Sequence, residues 1–349
     1  MDIPIITNPI VDKLTYILPW AINCTKEEQR AKLAPVKKLV NLAIEAGTCK
    51  TAHITKSRYI EKFNINLPSR ATALVQMAAV NPGRQNGGIN ITINPSRLSS
   101  EDIHYFHTTM EHLIGQDYPE LIKNPRLNRA DFAIDILNIN FKNLIVNYQD
   151  SQKRSVCIKR TGKQGIIEFY AFGSISSDYT YVAYDKKMER IDKSIRALMA
   201  ESQGPLNLKE NAVKRIMYER NGPEVLRVEV RGKRLGGCRP HELAQVTNRF
   251  ARFMFSDVTS GRGPELSEFD RRAFLAMARH DGVHAAISLY EKERPEVPVR
   301  EFWRSKRVDW WNPVTAWAES CEALRRSGIF PECAFVAPPV HNLALPASK

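Results

Sequence analysis

Leu127-Asn128-Arg129-Ala130-Asp131-Phe132-Ala133-Ile134-Asp135-Ile136 alternates apolar with ionisable residues. Residues two apart share a face of a strand, so Ala130, Phe132, Ile134 and Ile136 point one way, and Arg129, Asp131 and Asp135 the other. Two later stretches read the same way. In Asp178-Tyr179-Thr180-Tyr181-Val182-Ala183-Tyr184-Asp185-Lys186, one face carries Thr180, Val182, Tyr184 and Lys186, away from Tyr179 and Tyr181. In Val225-Leu226-Arg227-Val228-Glu229-Val230-Arg231-Gly232-Lys233, Leu226, Val228 and Val230 oppose Arg227, Glu229, Arg231 and Lys233. A half-buried antiparallel sheet has a wet side, so the pattern reads equally as solvated charges in cross-strand pairs.

The chain has 349 residues, 43% apolar and 26% charged, the composition of a globular protein with a real core. Its formal charge of +13 favours phosphate-rich partners over neutral metabolites. Apolar stretches such as Leu14 to Ile22 are too short to span a bilayer, and Met1-Asp2-Ile3 lacks a basic leader. A cytoplasmic protein with no membrane partner is expected. Six cysteines without CxxC spacing argue against both a zinc finger and a disulfide scaffold.

The remaining periodicities outline an α+β fold: an antiparallel β-sheet core with flanking helices, then a mainly helical C-terminal region. A first strand is expected at Asp12 to Leu18. Thr25 with Glu28, and Ser99 with Asp102, signal helix starts, the first helical pattern resuming after Pro35. Ala71 to Val80 and Gly88 to Ile93 read as a hairpin. A helix is expected near Phe141 to Tyr148, strands at Ser155 to Lys159 and Gly165 to Phe172 around a Thr-Gly-Lys turn, and helices at Lys187 to Ser202 and Leu208 to Glu219. Beyond Gly236-Gly237, helices are expected at Pro240 to Phe255, Ser267 to Arg279, Val283 to Glu293 and Val314 to Arg326. This organisation divides the chain into 1–235, 236–335 and a loose tail, 336–349.

Four landmarks, in order, resemble those of rolling-circle replication initiators, in particular the gene II replication proteins of filamentous phages and the Rep_trans plasmid and phage initiators. They are Ile91-Thr92-Ile93-Asn94-Pro95-Ser96-Arg97-Leu98, Arg129-Ala130-Asp131, Val182-Ala183-Tyr184-Asp185-Lys186, and Arg227 through Lys233. Phe172-Gly173-Ser174 is similar to the Gly-Ser turn of the plasmid initiators, although Ile175 stands where a basic residue is usual. The resemblance covers about Ala71 to Arg234. No His-hydrophobe-His motif is present, and His104 and His107 read as ordinary helix-face histidines.

The resemblance implies a site-specific DNA endonuclease and strand transferase that nicks one strand at an origin, stays on the 5′ phosphate through Tyr184 and later rejoins the displaced strand. Strand alternation independently sets Tyr184 apart from Tyr179 and Tyr181. A tyrosine with a pKa of about 10 needs help as a nucleophile; Lys186 is the candidate assistant. Asp131, Asp135 and Glu229 are the oxygen ligands a hard cation prefers, pointing to Mg²⁺ or Mn²⁺. Arg129, Arg227, Arg231 and Lys233 are candidate DNA contacts. Gly162-Lys163-Gln164-Gly165 lacks the phosphate-loop pattern, so a host helicase and polymerase are expected partners beside origin DNA; a homodimer is compatible with the reading. Arg300, Phe302, Trp303, Arg304, Lys306, Arg307, Trp310 and Trp311 interleave cations and aromatics, as a single-strand stacking platform or an amphipathic helix would. The rival class is a non-catalytic DNA-binding initiator or repressor, and a mobilisation relaxase is the near neighbour.

Overall fold

The computed structural model describes residues 3–22, 24–54, 57–81, 88–149, 157–161, 166–174, 176–200 and 206–337. The expected turns within 82–87 and 162–165, Ile175, and the tail from residue 338 lie outside these. In chain order the elements are β1 Ile5–Ile6, β2 Ile10–Leu18, α1 Lys26–Glu45, β3 Cys49–Thr51, β4 Tyr59–Asn66, β5 Thr72–Ala79, β6 Ile89–Ile93, α2 Ser100–Ile114, α3 Tyr118–Leu121, β7 Arg126–Leu137 and β8 Leu144–Tyr148. There follow β9 Cys157–Thr161, β10 Ile166–Phe172, β11 Tyr179–Asp185, α4 Lys186–Ala200, α5 Leu206–Asn221, β12 Val225–Gly232, β13 Phe253–Asp257, α6 Glu268–His280, α7 Val283–Glu293, α8 Val299–Ser305 and α9 Pro313–Arg326. The fold is α+β, with antiparallel sheet, flanking helices and a helix-rich C-terminal region.

The chain forms two compact units. One comprises residues 1–10, 131–233 and 248–320; the other comprises 11–130, 234–247 and 321–349. A chain crossing thus falls beside the boundary expected near Gly236, but four further crossings interleave the units in sequence.

In the unit centred on residues 11–130, the strand order is β3-β4-β5-β6-β2. The hairpin read from the sequence is present, with Leu74 opposite Thr92 and Met77 opposite Ile89. Leu33, Val36 and Val40 of α1, and Phe106, Met110 and Leu113 of α2, are buried in this unit's core. Both helix starts have the expected capping boxes: Thr25 accepts from the Glu28 N–H, and Ser99 from that of Asp102. The first helix continues through Pro35 without a break.

In the other unit, β7-β12-β11-β10-β9 lie side by side and β1 pairs with β7. Phe141 to Tyr148 is not the expected helix. After a short 3-10 turn, Leu144–Tyr148 is a strand with all five residues buried, so it lacks the polar face that would have shown a period. It pairs with β13, Phe253 opposite Tyr148. Hence Pro240 to Phe255 is not one helix either: Pro240 opens a 3-10 helix to Gln245, and the aromatic end, Phe253-Met254-Phe255, goes into sheet. The helices read at Ser267, Val283 and Val314 are present, joined by the unforeseen α8. Phe274, Ile287, Tyr290, Val299 and Phe302 pack as one cluster, with Trp303 against it. Trp311 lies 5.1 Å from Phe255, ring centre to ring centre. The cation-aromatic stretch therefore spends Phe302, Trp303 and Trp311 on packing.

Candidate functional site: a covered charged face

The register of β11 on β12 fixes which side chains share a face. Tyr184 lies opposite Arg227, Val182 opposite Glu229 and Thr180 opposite Arg231. Opposite residues in an antiparallel pair project to the same side, so Tyr184, Arg227, Glu229 and Arg231 stand together, as alternation had indicated. β7 flanks β12 and brings its own ionisable face to the group: Arg227 makes a two-pronged ion pair with Asp135, Nε to Oδ1 at 2.5 Å and a terminal nitrogen to Oδ2 at 2.7 Å. Asp131 acts electrostatically on Arg231.

Tyr184 crosses diagonally to Glu229. Its hydroxyl donates to Oε1 at 2.7 Å. The other carboxylate oxygen, Oε2, accepts from Arg231 Nε at 2.8 Å and from a terminal nitrogen at 2.6 Å. Asp135 thus has both oxygens on Arg227, and Glu229 divides its oxygens between a phenol and a guanidinium.

The face is not wet. Glu229 is 3% exposed, Asp131 4%, Arg227 7% and Tyr184 9%. Helix α4 contributes part of the cover: Arg190 comes within 3.9 Å of Asp135 and within 3.7 Å of Glu219 on α5. Burying ions costs several kcal/mol each unless geometry and hydrogen bonds compensate, and such networks are weak stabilisers at best. The carboxylates of Asp135 and Glu229, held by Arg190, Arg227 and Arg231, meet that condition. A solvated sheet face would not need it.

The network also sets the phenol. Burial, then the charge of Glu229 and the hydrogen bond to it, push the Tyr184 pKa well above its ordinary value, while Arg227 pulls the other way. At neutral pH the nucleophile candidate is a neutral phenol with a carboxylate already holding its hydrogen. For Arg227, burial works against the charge, but Asp135 outweighs it and the guanidinium stays firmly protonated.

Lys186 departs from the expectation. It does not continue the strand but opens α4. Its ammonium donates to Glu189 at 2.6 Å and lies 5.6 Å from the centre of the Tyr184 ring. Burial lowers its pKa, partly offset by Glu189. The cation directly opposite Tyr184 is Arg227. Arg129 lies on β7 and is half-buried, and Lys233 follows the end of β12, its N–H on the Asp178 carbonyl. Tyr181 stacks on Tyr148 at 4.1 Å, in keeping with a packing role.

The carboxylates offer the oxygen chemistry of a hard cation, but not its geometry in this arrangement. Among the described residues no three His, Cys, Asp or Glu side chains are grouped to hold an ion. The oxygens of Asp135 and Glu229 are engaged by Arg227, Arg231 and Tyr184.

Beside the phenol is a cavity of about 190 Å³, lined by Phe169, Tyr184, Met188, Glu189, Lys193 and Arg196 among others. Arg190 and Glu189 escaped sequence reasoning. On α4 they read as the solvated charges of an amphipathic helix, and only the sheet register shows what they cover. Among the described residues no helix is long and apolar enough to cross a membrane. Comparison with known families and with curated proteins finds no match, so the functional reading rests on this geometry and on the sequence landmarks.

Proposed function

We propose that the protein is a replication initiator that nicks one strand of origin DNA through Tyr184 and starts, and later terminates, rolling-circle replication of a phage or plasmid. The observation that carries this reading is the buried Tyr184 hydroxyl donating to Glu229 within a cluster of arginines. In the proposed step, the Tyr184 oxygen attacks the scissile phosphorus while its proton passes to Glu229. The bond from phosphorus to the 3′ oxygen breaks, and that oxygen leaves as a hydroxyl after taking up a proton from solvent. The product is a 5′ phosphotyrosine, which conserves the phosphodiester energy for rejoining. Arg227 and Arg231 are the groups proposed to stabilise charge growing on the phosphoryl oxygens.

A divalent ion, Mg²⁺ or Mn²⁺, is proposed only for the DNA complex. Substrate phosphates would first have to draw Arg227 and Arg231 off the carboxylates. No step above depends on it. Arg129, Lys233 and the surplus of positive charge remain the proposed contacts to the DNA backbone, with a host helicase and polymerase as partners.

The low exposure of Tyr184 favours a second reading, in which the buried network is structural and the protein is a DNA-binding initiator or repressor without chemistry. A mobilisation relaxase would share the chemistry and differ in its DNA. Supercoiled DNA from the encoding replicon separates the first two: conversion to open circles with protein bound to the 5′ end supports nicking, and binding without conversion supports the rival.

A further inference from the structure

The Asn94-Pro95-Ser96-Arg97 landmark has no part in the Tyr184 site. It forms one wall of a cleft of about 390 Å³ in the other unit. The opposite wall is the turn between β4 and β5, and the lining comprises Ser69, Arg70, Thr72, Asn94 and Arg97 with flanking apolar atoms. Two arginines thus share one small cleft with two hydroxyls and an amide. Among the described residues, neither the Arg70 nor the Arg97 side chain has a hydrogen-bond or ion-pair partner, in contrast to Arg227 and Arg231.

The two walls are tied together. Asp102, in the first turn of α2 and with no exposed surface, accepts from the Ser69 N–H at 2.9 Å with one oxygen and from the Ser99 N–H at 2.9 Å with the other. The turn carrying Arg70 and the connection carrying Arg97 are therefore held in fixed relation by one buried carboxylate. Arg70 itself sits at φ 68°, in the left-handed region where glycine or asparagine costs less. A side chain kept at a conformational cost, beside a second unpaired cation, is poised for an anion.

We infer that this cleft is a phosphate-binding site for the backbone of a nucleic acid, with Arg70 and Arg97 as the charged contacts and Ser69, Thr72 and Asn94 as the neutral donors. The formal charge of +13 favours a polyanion over a small one. The cleft and Tyr184 belong to different units, and phosphate binding there does not require nicking.

The test is binding of a labelled duplex oligonucleotide of arbitrary sequence, followed by fluorescence anisotropy across a NaCl series. Arg70→Gly, Arg97→Gln and their combination are compared with Arg272→Ala combined with Lys292→Ala, two exposed residues already in surface ion pairs. Loss of two phosphate contacts should lower the slope of log affinity against log salt by about two and weaken binding about tenfold or more at low salt. Arg70→Gly alone should lower the slope by about one while raising the melting temperature, because it relieves the left-handed backbone. The same fall in slope is expected in a Tyr184→Phe background, so failure of the cleft and failure of the nicking chemistry are distinguishable. An unchanged slope, or an equal fall in the surface control, overturns the inference. So does calorimetric binding of inorganic phosphate that depends on Arg70 and Arg97 while duplex binding does not.

Discussion

The Tyr184 hydroxyl donates to Glu229 Oε1 at 2.7 Å across the β11–β12 ladder, on a face that also carries Arg227 and Arg231. The proton that must leave a nucleophilic tyrosine is therefore already shared with a carboxylate. Glu229→Gln keeps the shape and removes the proton acceptor. It should lower the nicking rate by about 10²- to 10⁴-fold, the usual worth of a general base, with binding to DNA largely retained. A nicking rate within a factor of two or so of wild type would dismiss Glu229 from the chemistry.

Arg227 and Asp135 form the most enclosed ion pair on this face, with side-chain exposures of 8% and 17%. Removing one partner of such a pair leaves a charge without compensation. Arg227→Ala should cost about 3 kcal/mol in a urea denaturation series. Replacing both by a packed apolar pair should cost much less. If Arg227→Ala is nearly neutral, the face is wetter than its burial implies.

The raised pKa of Tyr184 has a signature in stability. A group whose folded pKa lies above its unfolded value contributes stability that is complete below the unfolded pKa, about 10 for tyrosine. That contribution is lost as pH rises from there toward the folded pKa. Tyr184→Phe should therefore lose stability less steeply than wild type above about pH 10, read from urea midpoints. Parallel curves would mean the phenol is not held protonated by its surroundings.

The engaged carboxylates predict how metal would behave. Free protein should show no saturable Mn²⁺ uptake that Asp135→Asn or Glu229→Gln abolishes, because Arg227, Arg231 and Tyr184 occupy those oxygens. Calorimetry on the DNA-free protein measures this directly. Uptake lost in either variant would show that the ion competes with the arginines unaided.

The interleaved cations and aromatics of Arg300 to Trp311 also separate two roles. Phe302 is fully enclosed in the helical cluster. Phe302→Ala should cost about 3 to 5 kcal/mol while leaving the salt dependence of DNA binding unchanged. A change of slope without loss of stability would return this stretch to the DNA interface.

Much of this was legible because it is local. Thr25 and Ser99 with their partners three residues on announced two helices, and strict alternation around Asp131, Tyr184 and Glu229 named the face that the register assembles. The misses depend on distant contacts, or on where one element yields to the next. Leu144–Tyr148 and Phe253–Asp257 pair with each other, and their strand identity depends on that distant contact rather than on any period within either. Lys186 looked like a strand residue because alternation does not mark where a strand yields to a helix. The cover of the charged face was invisible, since Glu189 and Arg190 have the same sequence signature whether they face water or a buried sheet. The capture of Asp135 by Arg227 likewise follows from strand order, which periodicity does not contain, whereas Glu229 and Arg231 are two apart on one strand.

The central claim is that Tyr184 becomes covalently joined to DNA. The direct measurement is digestion of the nicked complex, formed with supercoiled DNA of the encoding replicon, and mass spectrometry of the nucleotide-bearing peptide. A 5′ phosphotyrosine on Tyr184, absent in Tyr184→Phe and retained in Tyr181→Phe, is the predicted result; full nicking by Tyr184→Phe, or an adduct on another residue, would contradict it.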